Sequence, residues 1–199
     1  MDEIQDLLDR YRTWAERLEQ DDPGFFSRLA KGQAPAYFWI GCADSRVPAT
    51  QATGLQLGDL FVHRSVANVV THSDPNCMSA LQYSVLNLRV RHVIVCGHYG
   101  CGGVQGAMQG GIGGAVGDWL KPIEDIVEAH KDELDMLDEN AAFRRLCELN
   151  VLRSVQAVVS SDTAATAWQQ GQPLSVHSWI YDLEDGSLNI LQEPISAPA

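Results

Sequence analysis

Cys42, Asp44 and Arg46 occupy every second position of the stretch GCADSRVP, and His98 and Cys101 are two residues apart in CGHYGCGG. A two-residue gap is the short chelate that lets one turn aim two ligands at one ion. The two clusters together offer two thiolates (Cys42, Cys101), one imidazole (His98) and one carboxylate (Asp44). Sulfur and nitrogen donors select zinc over magnesium or calcium, which prefer oxygen, and four donors match its tetrahedral count. Such a set could form a closed structural site or a catalytic one with an open position. Arg46 favours the second. Two residues beyond Asp44, on the same side of an extended segment, its guanidinium can hold the carboxylate through paired hydrogen bonds and draw it off the metal. That would leave the fourth position to water.

Such a site needs a scaffold. Apolar, β-rich runs occur at AYFWIG, LFVHRS and HVIVCG, separated by helical periodicity such as CMSALQYSVLNLRV. Strand and helix in repeated order predict an α/β fold with a mostly parallel sheet flanked by helices. Ligands then gather outside the carboxyl ends of the strands, and the three runs end in GCADSR, HRSVAN and GHYGCGG. Upstream, Ile4, Leu7, Leu8, Tyr11, Trp14 and Leu18 give an amphipathic helix that DDPG stops. It could pack on its own core or cross to a second subunit. Beyond Gly117, WLKPIEDIVEAHKDELDML and AAFRRLCELNVLRSVQAVV read as helices, and LSVHSWIYDL and LNILQE as strands around the turn EDGS. The glycine-rich piece GCGGVQGAMQGGIGGAVG fails as a dinucleotide loop, because Gln105 stands where a third glycine is needed, and no Gly-Lys-Ser/Thr ends it as a P-loop requires. Gly110 to Gly117 reads as a flexible loop.

The chain has 199 residues and a formal charge of −12. With no basic run, it is not expected to bind nucleic acid or an anionic membrane. No apolar run approaches the roughly 18 residues of a membrane span, and no signal peptide is evident, so a cytoplasmic protein is expected. Five cysteines in a chain of this size read as reduced thiols, with Cys77, Cys96 and Cys147 as small buried hydrophobes.

CADSRVP with HRSVANVV and CGHYGCGGV resembles the β-class carbonic anhydrases, and the likeness runs from Phe25 to Leu191. The resemblance implies one zinc ion per chain on Cys42, His98 and Cys101, and a zinc-bound hydroxide, oriented by Asp44, that attacks carbon dioxide to give bicarbonate. Asp44 and Arg46 form the family's dyad, with Asp44 on zinc in an inactive form. The chain is then a single domain, 1–199, with an N-terminal helical arm (1–34) that crosses to a partner subunit and a zinc-binding core (35–199). The assembly is a homodimer, often paired into a homotetramer, with active sites at the dimer interface. Gln33, Phe61, Val66 and Tyr83 fall where the family lines its substrate cleft, and Gly102 supplies a backbone N–H there. Taken alone, Trp39 and Tyr181 read as core packing and Arg64 as one half of an ion pair. The same trio forms a regulatory bicarbonate pocket in a bacterial subset of the family, so an allosteric enzyme of that subset is expected. Ser65 and Ser178 depart from the usual asparagine and glycine beside this pocket. Because two thiolates offset the formal charge of zinc, activity should climb into alkaline pH. The alternatives are a carbon disulfide hydrolase-like relative and a non-catalytic, zinc-stabilised scaffold. His63, His72, His92, His130 and His177 take ordinary structural or surface roles in this reading.

Overall fold

The structure, a computed structural model, describes residues 3–197. The chain divides into two compact units, one ending at Gln33 and the other beginning at Ala34. The first holds α1 (Glu3–Asp21) and the short α2 (Phe25–Leu29). Gly24, in the left-handed conformation at φ 81°, reverses the chain between them and donates its N–H to Glu19. Trp14 meets Phe26 edge-on, yet α1 buries none of its residues: Leu7, Tyr11 and Trp14 stay 44–61% exposed.

The second unit is built on a five-stranded sheet in the order β2-β1-β3-β4-β5. Its strands are β1 (Tyr37–Cys42), β2 (Leu60–Ser65), β3 (His92–His98), β4 (Ser175–Tyr181) and β5 (Leu188–Ile195). The first four run parallel and β5 is antiparallel to β4. The mostly parallel sheet read from the sequence is therefore present. Burial explains the pattern: Phe38 to Cys42 of β1 and Val93 to His98 of β3 are all buried, as expected for strands covered on both faces.

The helices are α3 (Ala49–Thr53), α4 (Pro75–Gln82), α5 (Gly102–Gln109), α6 (Gly114–Ala129), α7 (Lys131–Asp135), α8 (Glu139–Val159) and α9 (Asp162–Gln169). Asp74, Asp138 and Ser161 cap α4, α8 and α9 through their side chains. Val151 and Val155 of α8 join Phe38, Ile40, Val93 and Val95 in one core. On the other face Trp39, Ile94 and Cys96 pack with Trp179 and Tyr181.

Two expectations are corrected. The periodic run from Trp119 is two helices, α6 and α7, broken at His130. Gly110 to Gly117 is not one flexible loop, since α6 begins at Gly114 and only the link before it is irregular. The glycines work here by close approach: a Cβ on Gly106 would stand 2.1 Å from Ile112 Cδ1, and one on Gly117 2.0 Å from the Ile112 carbonyl oxygen. Ile112 thus seats between two helices that only glycine can open to it. Among the described residues no helix is long and apolar enough to cross a membrane.

Candidate metal centre

The two sequence clusters meet at the carboxyl ends of neighbouring parallel strands. Cys42 ends β1, His98 ends β3, and Cys101 is the N-cap residue of α5. β3 comes close to α8 because Gly97 carries no side chain; a Cβ there would lie 2.5 Å from Val151 Cγ2. His98 Nδ1 is 3.0 Å from the Tyr99 carbonyl, so Nδ1 carries the proton and Nε2 is left as a free donor atom. Buried Nε2 has no hydrogen-bond partner among the described residues. The donor atoms of Cys42, His98 and Cys101 all lie within 4.8 Å of one another.

This arrangement fits a divalent ion of the zinc type. Two sulfurs bound tetrahedrally at ~2.3 Å stand about 3.8 Å apart, and the Cys42 and Cys101 sulfurs are 3.9 Å apart. The electrostatics point the same way. Cys42 is lowered to about 4, first by a hydrogen bond with the Cys101 thiol and also by His98, against the cost of burial. Cys101 is pushed up by that same bond and by burial. One sulfur is thus inclined to ionise while the other keeps the proton between them, and a divalent cation would take that proton's place.

Asp44 is turned away toward Arg46. Its Oδ1 accepts from Arg46 Nε at 3.0 Å and its Oδ2 from Nη2 at 2.7 Å. The Arg46 backbone N–H also donates to Oδ1 at 2.9 Å, closing an Asx turn. Pairing therefore comes from a turn and not from the extended alternation expected from the sequence. These hydrogen bonds, led by the guanidinium, hold the carboxyl well below the usual carboxylate range. Oδ2 remains 3.7 Å from His98 Nε2, beside the three donors but bonded to Arg46.

Arg64 is in no ion pair among the described residues. Its Nε donates to the Cys42 carbonyl at 2.8 Å, and its Nη2 to the carbonyls of Asp44 and of Val47, the latter at 3.1 Å. It thus braces the loop that carries the dyad. The register places Arg64 beside Gly41 and aligns Cys96 with Trp179 and His98 with Tyr181, so Trp39, Arg64 and Tyr181 share one sheet face. Ser65 donates to the Val69 carbonyl at 3.3 Å. Buried Ser178 sits at the β4–β5 register shift, its hydroxyl without a partner among the described residues.

The cleft residues are more scattered. Phe61 lies 6.0 Å from Tyr83 and 5.6 Å from Phe38, ring to ring, while Val66 and Tyr83 are 42% and 48% exposed. Gly102 opens α5 next to Cys101, and Gln33 ends the first unit. Phe61 pairs with Phe38 and Ser65 with Cys42, so Phe61 stands four residues back along the strand, about 13 Å from Cys42.

The sequence reading missed the anchors of the His98 loop. Tyr99 donates its N–H to the Tyr181 carbonyl and its hydroxyl to Glu148 at 2.7 Å. Arg144 lies 3.5 Å over the Tyr99 ring and pairs with Asp182 at 2.9 Å. Tyr99 is inside the motif, but its partners come from α8 and the end of β4, and no local spacing announces them.

Residues 37–188 match the family model described as Carbonic anhydrase. A carbonic anhydrase of Emericella nidulans is 42% identical over 186 residues, covering 93% of this chain and 82% of its own. Among solved structures, a tetrameric β-carbonic anhydrase from Sordaria macrospora superposes with a TM-score of 0.93 at 36% identity, covering 98% of this chain and all of its own. A Coccomyxa β-carbonic anhydrase reaches 0.95, also at 36% identity, with 99% and 90% covered. The converging Cys42, His98 and Cys101, the five-stranded sheet that aims them and this likeness over nearly the whole length place the chain in the β-class carbonic anhydrase family.

Proposed function

We propose that this chain catalyses the reversible hydration of carbon dioxide to bicarbonate and a proton, with one zinc ion held by Cys42, His98 and Cys101. The observation that carries this reading is the open three-donor set with Asp44 drawn onto Arg46. Zinc, when bound there, supplies the Lewis acid that activates water near neutral pH. The chain's own residues do the rest. Asp44 Oδ2 faces the donor set as an ionised acceptor that orients water for attack. Arg46 keeps that carboxylate from closing the site, and also donates to the Gly100 carbonyl at 3.3 Å. Arg64 fixes the loop between Cys42 and Val47.

At about 13 Å along the strand, Phe61 cannot line the site of its own chain. A second copy supplies Phe61 and Tyr83 in a homodimer, and the tetrameric Sordaria relative supports further pairing of dimers. The five free cysteines support a reducing compartment, the cytosol. A stopped-flow hydration assay from acid to alkaline pH, with zinc counted per chain, tests the reading. The expected result is one zinc per chain and kcat/KM rising toward alkaline pH; a fully zinc-loaded chain inactive at every pH overturns it.

A finer proposal concerns regulation. Trp39, Arg64 and Tyr181 share a sheet face, which supports a bicarbonate pocket there. An anion that takes Arg64 must pull it off the carbonyls of Cys42, Asp44 and Val47, which frees the loop carrying the dyad. The Emericella, Sordaria and Coccomyxa relatives give no support to placement in the bacterial subset. Cooperative inhibition by bicarbonate at lower pH, abolished in Tyr181→Phe, is expected. Simple competitive inhibition in the native enzyme overturns the proposal.

A further inference from the structure

Among the described residues, two groups of three metal-ligating side chains bring all their donor atoms within 4.8 Å of one another. One is the Cys42–His98–Cys101 centre; the other is His63, Asp74 and Cys77. We propose that this second group is a metal site of its own, weaker than the first, taking a divalent cation of the zinc or cobalt type between β2 and α4 only once the first centre is filled.

Ordinary structural roles account for only part of the group. Cys77 is fully buried and would serve as a small hydrophobe. Asp74 caps α4 by accepting from the Asn76 N–H at 3.0 Å through Oδ1, and so keeps Oδ2 for another partner. His63 is the residue left over. Its Nε2 is buried and has no hydrogen-bond partner among the described residues, as is also true of Nε2 in His98. A buried imidazole nitrogen beside a carboxylate and a thiol is a ligand set in search of an ion.

The donor chemistry selects the ion. One sulfur, one nitrogen and one carboxylate oxygen suit zinc or cobalt(II) and not magnesium or calcium. Tetrahedral coordination brings such donors to about 3.3–3.8 Å from one another, so the side chains must close by up to about 1.5 Å. Burial holds the His63 imidazolium below its ordinary pKa, so the ring is neutral and ready to bind at neutral pH. Burial and the Asp74 charge push the Cys77 thiol up to about 12, so on binding it gives its proton to solvent and the ion carries the cost. Asp74 also lines an open cavity of about 370 Å³, shared with Thr71, Ser73 and Asp118, which gives the ion a polar way in. The site would clip β2, which among the described residues pairs only with β1, to α4.

The test titrates zinc-loaded holoenzyme with cobalt(II) alone. The expected result is one cobalt per chain with the first zinc retained, a thiolate-to-cobalt charge-transfer band, and unchanged carbon dioxide hydration. Cys77→Ser should lose the band. Asp74→Asn keeps a competent N-cap and should weaken cobalt binding by at least about tenfold without unfolding the chain. Cobalt that only replaces the first zinc, no binding at millimolar cobalt, or wild-type binding by both variants overturns the proposal.

Discussion

Cys101→Ser is expected to lower zinc content far below one ion per chain and carbon dioxide hydration by at least about 10³-fold, because the several kcal/mol that a metal centre contributes leaves with the ion. Serine offers a harder, weaker donor in place of a thiolate, and Cys42 with His98 cannot hold the ion alone. The fold should survive. Cys101 is the N-cap residue of α5, a position where serine is among the preferred residues, and the helix begins at Gly102 either way. Metal analysis, circular dichroism and stopped-flow hydration on the same preparation check the three parts separately. A variant with full helical signal, no zinc and activity within tenfold of wild type would show that the chemistry does not run through this centre.

The donor set was legible because each part of it is local. Cys42 with Asp44, and His98 with Cys101, are short motifs at the ends of apolar runs, and parallel topology alone brings the ends of β1 and β3 side by side. The fold class was legible for the same reason: buried strands alternate with periodic helices. What the sequence hid is non-local or turn-like. The Asx turn at Asp44 uses a backbone N–H, and Arg64 bonds carbonyls, which every residue carries. The Tyr99 anchors arrive from Arg144 and Glu148, some 50 positions on. Ile112 decides the glycine-rich segment, since the two glycines that admit it lie on different helices. His63 and Cys77 looked like ordinary interior residues because their meeting depends on how the chain turns after β2.

The second large effect comes from a residue that touches no metal. Arg46→Gln should leave zinc at one ion per chain while hydration falls by about 10²-fold or more, the opposite pairing of outcomes to that of Cys101→Ser. In the wild type, Asp44 is kept by Nε, Nη2 and the Arg46 backbone N–H. Glutamine removes the fork and the positive charge but keeps the backbone bond, so Oδ2, already 3.7 Å from His98 Nε2, is free to turn onto the ion. That closes the fourth position. X-ray absorption at the zinc edge should then show a carboxylate oxygen, with its carbon behind it, where the wild type has a water oxygen, and the Arg46→Gln, Asp44→Ala double variant should return to the water signal. The pH dependence separates this from mere loss of an ion pair. Arg46 depresses the Asp44 carboxyl, so the stability this pairing contributes is fully present above the ordinary value of 3.8 and is lost only as pH falls through the lower folded value. The stability difference between wild type and Arg46→Gln should therefore stay constant from neutral pH to about pH 4, while the activity difference should persist into alkaline pH. An Arg46→Gln enzyme that keeps both its zinc and its rate would mean that Asp44 has no tendency to reach the ion, and that the dyad is not a switch.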